Sequence, residues 1–184
     1  MIQERNSLHD AKPIGIPGRL SVLLAPEAAR FSLRLRQAGI DAAGAAFGCP
    51  LPADIGGVSS SGGLTAMCIG PDEWTLLAPL SEAETIEAGF AAAAIGPHSL
   101  VDVSHRELGI ELRGSAATST LSAFCALDLA TMPDGSATRT ILDKAQGLLV
   151  KHSAEHYRIE VWQSFAGHLW TLLAAVGREV ALDL

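Results

Sequence analysis

His152 and His156 stand four residues apart with Glu155 between them, the spacing at which one face of a helix offers two imidazoles to a metal ion. The surrounding residues break that geometry. Ser153-Ala154-Glu155 reads as a turn between two strands and no third ligand is near, so the pair reads as a surface turn. Asp102 and His105, flanking Ser104, place an acid beside a base. A hydrolase would also need its nucleophile on a strained Gly-x-Ser-x-Gly turn, which the sequence lacks. Cys49, Cys68 and Cys125 are odd in number and widely spaced, with no C-x-x-C pair and no histidine close by. They read as reduced, buried, cytoplasmic thiols. The Ser/Gly stretch from Gly56 to Gly63 has amides enough to wrap a phosphate, but no Lys or Arg follows it, and it reads as a flexible linker. Neither Gly-x-Gly-x-x-Gly nor a Gly-Lys-Ser phosphate loop occurs.

The chain that must position these groups has 184 residues, 48% apolar and 18% charged, against roughly 25% charged in an average soluble domain. Its formal charge of -7 and the absence of any Lys/Arg cluster argue against nucleic acid as a partner. So low a charge content favours an exterior partly covered by other subunits. No secretory leader is expected from the opening Met1-Ile2-Gln3-Glu4-Arg5-Asn6, and no apolar run is long enough for a membrane span.

The order of elements repeats. Phe31 to Arg36 alternates as a half-buried strand, Ile40 to Phe47 is an Ala-rich helix that Gly48-Cys49-Pro50 ends, and two strands flank the turn Gly70-Pro71-Asp72-Glu73. Ser81 with Glu84 then forms a capping box for a helix running to Gly96. After a strand at Leu100–Val103, the second round has a strand at Leu108–Arg113, a helix at about Ser115–Cys125, and strands near 145–151 and 157–162. A final helix follows, capped by Ser164. The pattern predicts an α+β fold of two tandem split β-α-β-β-α units of ferredoxin-like type with a largely antiparallel sheet. It divides into an extended arm over 1–27 with at most one short strand, a first half over 28–104 and a second over 105–184, the halves packed as one compact unit. On the last helix, Phe165, Leu169, Leu172, Leu173 and Val176 are expected to face inward over Trp162. Trp170, rotated about 100° from Leu169, is the better interface candidate.

Four strings carry a resemblance. Gly70-Pro71-Asp72-Glu73-Trp74 with Leu76-Leu77, Val101-Asp102-Val103-Ser104-His105-Arg106, Thr138-Arg139-Thr140-Ile141-Leu142-Asp143-Lys144-Ala145, and Val161-Trp162-Gln163-Ser164-Phe165-Ala166 with Trp170 occur in that order. Together they resemble the gamma subunit of heterotetrameric sarcosine oxidase. The resemblance implies a noncatalytic assembly subunit, beside alpha, beta and delta subunits, of a cytoplasmic enzyme that oxidatively demethylates sarcosine to glycine. It implies that FAD, FMN, NAD, tetrahydrofolate and zinc lie on other subunits, and that the fold is similar to the folate-binding part of the glycine-cleavage T protein. It gives Asp102 and Ser104 the task of satisfying backbone donors. His105, Arg106, Arg139 and Lys144 become candidates for contacts to neighbouring chains, with internal pairing of Arg106 or Arg139 to Asp102 or Asp143 as the alternative. The rival function is a free-standing folate-binding one-carbon protein of the T-protein type, with Asp72, Glu73 or Asp102 projecting into a cavity.

Overall fold

The computed structural model describes residues 6–182. It has two compact units: Glu27–His105, and a second that joins the segment up to Pro26 to the chain from Arg106 onward. The first unit runs β3 (Ala28–Leu35), α1 (Ile40–Phe47), β4 (Val58–Ser61), β5 (Leu64–Gly70), β6 (Glu73–Pro79), α2 (Ala83–Ala92) and β7 (His98–Asp102). The second runs β1 (Ile14–Ile16), β2 (Leu20–Leu24), β8 (Glu107–Arg113), α3 (Ala117–Ser122), β9 (Ser136–Leu142), β10 (Ala145–Ser153), β11 (His156–Trp162) and α4 (Gln163–Ala181). Each unit is an α+β layer with one antiparallel sheet, ordered β4-β5-β6-β3-β7 and β1-β2-β8-β11-β10-β9.

The two sheets share a plan: β4-β5-β6-β3 in one is matched by β9-β10-β11-β8 in the other. The strand that precedes each of these sets in sequence pairs outside it. β2 lies against β8, and β7 lies against β3. The duplicated order of the sequence is thus present with its leading strands exchanged.

Alternation explains which faces are buried. In β3, Phe31, Leu33 and Leu35 turn inward with Trp74 and Leu76 of β6, and α1 and α2 add Phe47, Ile86 and Phe90. In the other sheet Leu108, Ile110 and Leu112 of β8 meet Tyr157, Ile159 and Val161 of β11 beneath Ala166, Leu169 and Leu173 of α4. Each such aliphatic or aromatic side chain contributes roughly 1.5–3 kcal/mol on burial.

Three segments depart from the sequence reading. The supposed arm carries two strands: Pro17 and Gly18 form the turn between them, with Gly18 at φ 72 and Ile16 opposite Leu20. Proline at the first turn position and glycine at a left-handed second one are hairpin chemistry, not breaks. Residues 1–5 of that arm lie outside the described residues. The Ser/Gly stretch is an edge strand, β4, because Val58 through Ser61 zip onto Met67 through Leu64. Finally, directly after the turn residues Pro133-Asp134-Gly135 the sequence reading has no strand, whereas Ser136–Leu142 forms β9, paired along its length with β10.

The capping assignments also change. Ser81 falls in a short 3-10 turn ahead of α2, whose N-cap is Glu82 with no side-chain cap bond, and α4 begins directly after Trp162, so Ser164 lies inside it.

Candidate partner-contact surface

Most of the polar residues singled out by spacing are spent on local structure. Asp102 Oδ1 accepts the Ser104 amide at 2.7 Å, and Ser104 Oγ accepts the Arg30 amide at 2.9 Å. Both therefore satisfy backbone donors where β7 ends, on an edge strand of its sheet. Asp72 and Glu73, in the β5–β6 turn, are held by Arg34 at 3.0 and 2.6 Å. The carboxylates the folate reading would need are thus bound at a turn and a strand end.

His152 and His156 do not form a chelating pair. Their rings stack at 4.3 Å between centroids, and His156 Nε2 donates to Glu111 Oε2 at 3.0 Å. Arg113 grips the same carboxylate oxygen at 2.8 Å, and Arg158, bonded to Glu160 through Nε, lies 3.7 Å from Glu111 Oε1. Burial alone would raise the Glu111 carboxyl, but the hydrogen bonds from Arg113 and His156 outweigh it and hold it below the usual range. Burial, and next to it the charge of His156, push the His152 imidazole down. Gly109 makes room for this network: a Cβ there would lie 2.9 Å from Arg158 Nη2 and 3.0 Å from Glu160 Oε1. Among the described residues no group of three or more His, Cys, Asp or Glu is placed to hold a metal ion.

The three cysteines are free and buried; Cys49 contacts Ser59 Oγ at 3.4 Å, and burial pushes the Cys68 thiol up. Ser59 also bonds the Pro50 carbonyl. A shallow groove of about 460 Å³ beside α1 is lined by Ile40, Gly44, Gly48 and Leu51 together with Cys49 and Asp41, with no histidine and no cation among them.

What remains is a corner of the six-stranded sheet. Ile141 of β9 lies opposite Gln146 of β10, and Trp162 of β11 lies opposite Glu107 of β8. Gly147 pairs with Val161, so Gln146 and Trp162 are neighbours one step further on. Alternation turns this row to the face away from the α4 core. Ile141 is 52% exposed, Trp162 44% and Phe165, at the start of α4, 38%. The Arg106 guanidinium sits 5.5 Å above the Trp162 ring and holds Glu107 Oε1 at 2.8 Å. Trp162 and Phe165 meet at 6.5 Å with a 44° tilt.

Of the sequence-chosen residues, Arg106 is in this row, Arg139 is exposed two residues along β9 on the same face, and Lys144 is exposed in the β9–β10 turn. His105 is exposed at the end of the Glu27–His105 unit. Arg106 pairs with Glu107, and Asp143 takes His168 Nε2 at 2.8 Å. Of the two tryptophans, Trp170 lies at the edge of the inward face as expected, and Trp162 departs from its expected inward place. Trp170 is half-buried against the core, whereas Trp162 faces out because Tyr157, Ile159 and Val161 set the inward phase of β11. Phe165 likewise lies outside the stripe Ala166, Leu169, Leu173, Val176.

A family model described as sarcosine oxidase, gamma subunit family, matches residues 36–179. The chain belongs to that family. Among solved structures it is similar to a chain of heterotetrameric sarcosine oxidase from Corynebacterium sp. U-96 in complex with pyrrole 2-carboxylate. The TM-score is 0.84 at 24% identity, over 97% of this chain and 96% of that one. It is also similar to glycine cleavage system aminomethyltransferase T from Bartonella henselae, with TM-score 0.63 at 11% identity, over 85% of this chain and 45% of that chain. No curated protein gives a significant sequence match. The gamma-subunit family and the T-protein-like α+β fold expected from the sequence are both found.

Proposed function

We propose that this gamma-family chain is a structural and assembly subunit of a heterotetrameric sarcosine oxidase, bound to alpha, beta and delta chains and contributing no catalytic group of its own. On this reading the complex oxidatively demethylates sarcosine to glycine in the cytoplasm, and FAD, FMN, NAD, tetrahydrofolate and zinc are held by the other chains.

The observation that carries the proposal is the end-to-end likeness to one chain of such an enzyme together with the gamma-subunit family match. The state of the polar groups supports it. Asp102, Ser104, Asp72, Glu73 and the His156–Glu111 pair all serve local structure, while aromatic surface is left facing solvent at one corner. Reduced, buried cysteines agree with a cytoplasmic setting, and no helix among the described residues is long and apolar enough to cross a membrane.

Co-expression with and without this chain tests the proposal. The four-chain preparation is expected to yield a complex with sarcosine-dependent peroxide formation, and the three-chain preparation to lose assembly. The isolated chain is expected to show no flavin absorbance and no tetrahydrofolate binding. Tight tetrahydrofolate binding by the chain alone would overturn the reading in favour of a folate carrier.

A further inference from the structure

The sheet corner at Ile141, Gln146 and Trp162 has the composition of a docking surface. We infer that this row, with Phe165 and Arg106, is where a sister chain of the oxidase seats a patch that is apolar at its centre and acidic at its rim; the inference rests on the subunit reading above.

Two features argue for that occupant. The first is apolar area in one place: Ile141, Trp162 and Phe165 are three of the large hydrophobics left exposed, and the strand register puts two of them on one face, roughly 10 Å apart across three strands. Tryptophan and arginine at the centre of such a patch are the residue types that carry binding energy. Stacking under Arg106 fixes the Trp162 ring in advance, which lowers the ordering cost of association.

The second is charge. The chain as a whole carries -7, yet this corner presents cations. Lys144 is exposed in the adjoining turn, and Arg106 spends Nε and Nη2 on Glu107, leaving further N–H donors on its fork. Arg106 and Glu107 offset one another and Asp143 bonds His168, so the exposed Lys144 ammonium and the outer N–H donors of the Arg106 fork are what this corner offers a partner. An acidic rim on the partner complements that arrangement, and a second copy of this acidic chain does so less well.

The test uses the four-chain complex with an affinity tag on a sister chain, and measures how much of this chain is retained at low and at physiological salt. Trp162→Ala and Ile141→Asp are each expected to lower retention tenfold or more. Gln146→Arg, an exposed substitution in the middle of the row, guards against misfolding of the other two, and each variant's melting is followed on the isolated chain. Lys144→Glu is expected to weaken retention several-fold, more at low salt than at high. Unchanged retention of folded Trp162→Ala and Gln146→Arg in a complex that the wild-type chain joins would overturn the surface while leaving the subunit reading intact. Failure of the wild-type chain to join at all would sink the subunit reading first. A dimer of the isolated chain abolished by Trp162→Ala would assign the face to a second copy and overturn the sister-chain occupant.

Discussion

Tyr157 donates its hydroxyl hydrogen to Thr118 Oγ1 at 2.8 Å, and Thr118 passes its own hydrogen to the Ala154 carbonyl at 2.7 Å. The bond joins β11 to α3 from a ring with no solvent exposure. Trp74 holds the matching place in the other sheet, opposite Leu33 as Tyr157 is opposite Leu112, and its indole donates to the Pro52 carbonyl at 2.8 Å. In each sheet, one large aromatic fills the core and pins the segment at or beyond the first helix by its polar edge.

The direction of the hydrogen bonds makes two substitutions unequal. Tyr157→Phe removes a donor and leaves Thr118 still bonded to Ala154, for a cost of about 1 kcal/mol. Thr118→Val strands the buried tyrosine hydroxyl, while the Ala154 carbonyl in its exposed turn can take water, for about 2 kcal/mol. Urea unfolding of both variants gives the comparison, and equal losses would contradict this chain of bonds.

The exchanged strands make a further prediction. β2 covers the edge of β8 from Ile110 to Arg113, and its Leu20 and Val22 are buried in the same core as Leu112. Deleting the chain through Pro26 removes both side chains and bares four ladder positions. Roughly 3–6 kcal/mol is lost from burial alone, a large share of the stability of any domain. Thermal unfolding followed by circular dichroism is expected to show a broad, low transition for the shortened chain. Retention of the full-length melting temperature would show that the hairpin is dispensable.

Legibility followed physical signal strength. α1 is legible at its observed limits because Ile40 through Phe47 is bounded by Gly48 and Pro50, and β8 and β11 are legible to within one residue at their starts because apolar side chains alternate along them. β4 was missed because three serines and flanking glycines have no inward face to betray a strand; only pairing with β5 makes it one. β9 was missed because Ala137 and threonines blur its alternation. The sheet corner was half legible. Arg106, Arg139 and Lys144 were named from their strings, but placing Ile141 beside Trp162 needs the register of three strands, which sequence separation hides. Trp162 was misplaced by extending the α4 stripe backward across the point where a period of two gives way to 3.6.

Lys151 is a buried cation with a structural assignment. Its Nζ donates to the carbonyls of Leu129 and Met132 at 2.8 and 2.7 Å and lies 3.4 Å from Asp134, while Gly135 N–H returns to its own carbonyl. The side chain thus fastens the connection between α3 and β9. Lys151→Met keeps the apolar stem and leaves two carbonyls unmet, so stability is expected to fall by about 1.5–3 kcal/mol. Hydrogen exchange should rise first at the amides of residues 130–132, and uniform exchange across the unit would argue that the lysine does not hold this loop.

Acid should weaken the fold in two stages. His152 is held below its ordinary value by burial and by His156, so its folded form binds fewer protons than its unfolded form below neutrality. Its contribution is complete above about pH 6.5 and is lost as pH falls below that. Glu111, held low by Arg113 and His156 against its burial, contributes fully above its ordinary value of 4.5 and loses that contribution as pH drops through its lowered folded value. Stability therefore rises with pH across both ranges. His152→Gln is expected to flatten the limb between pH 7 and 5 while keeping the fall below 4.5, and Glu111→Gln to lower the plateau and flatten the acid limb. Melting temperatures across pH 3.5–8 separate the two stages, and a His152→Gln profile parallel to wild type between pH 7 and 5 would remove the stacked histidines from this account.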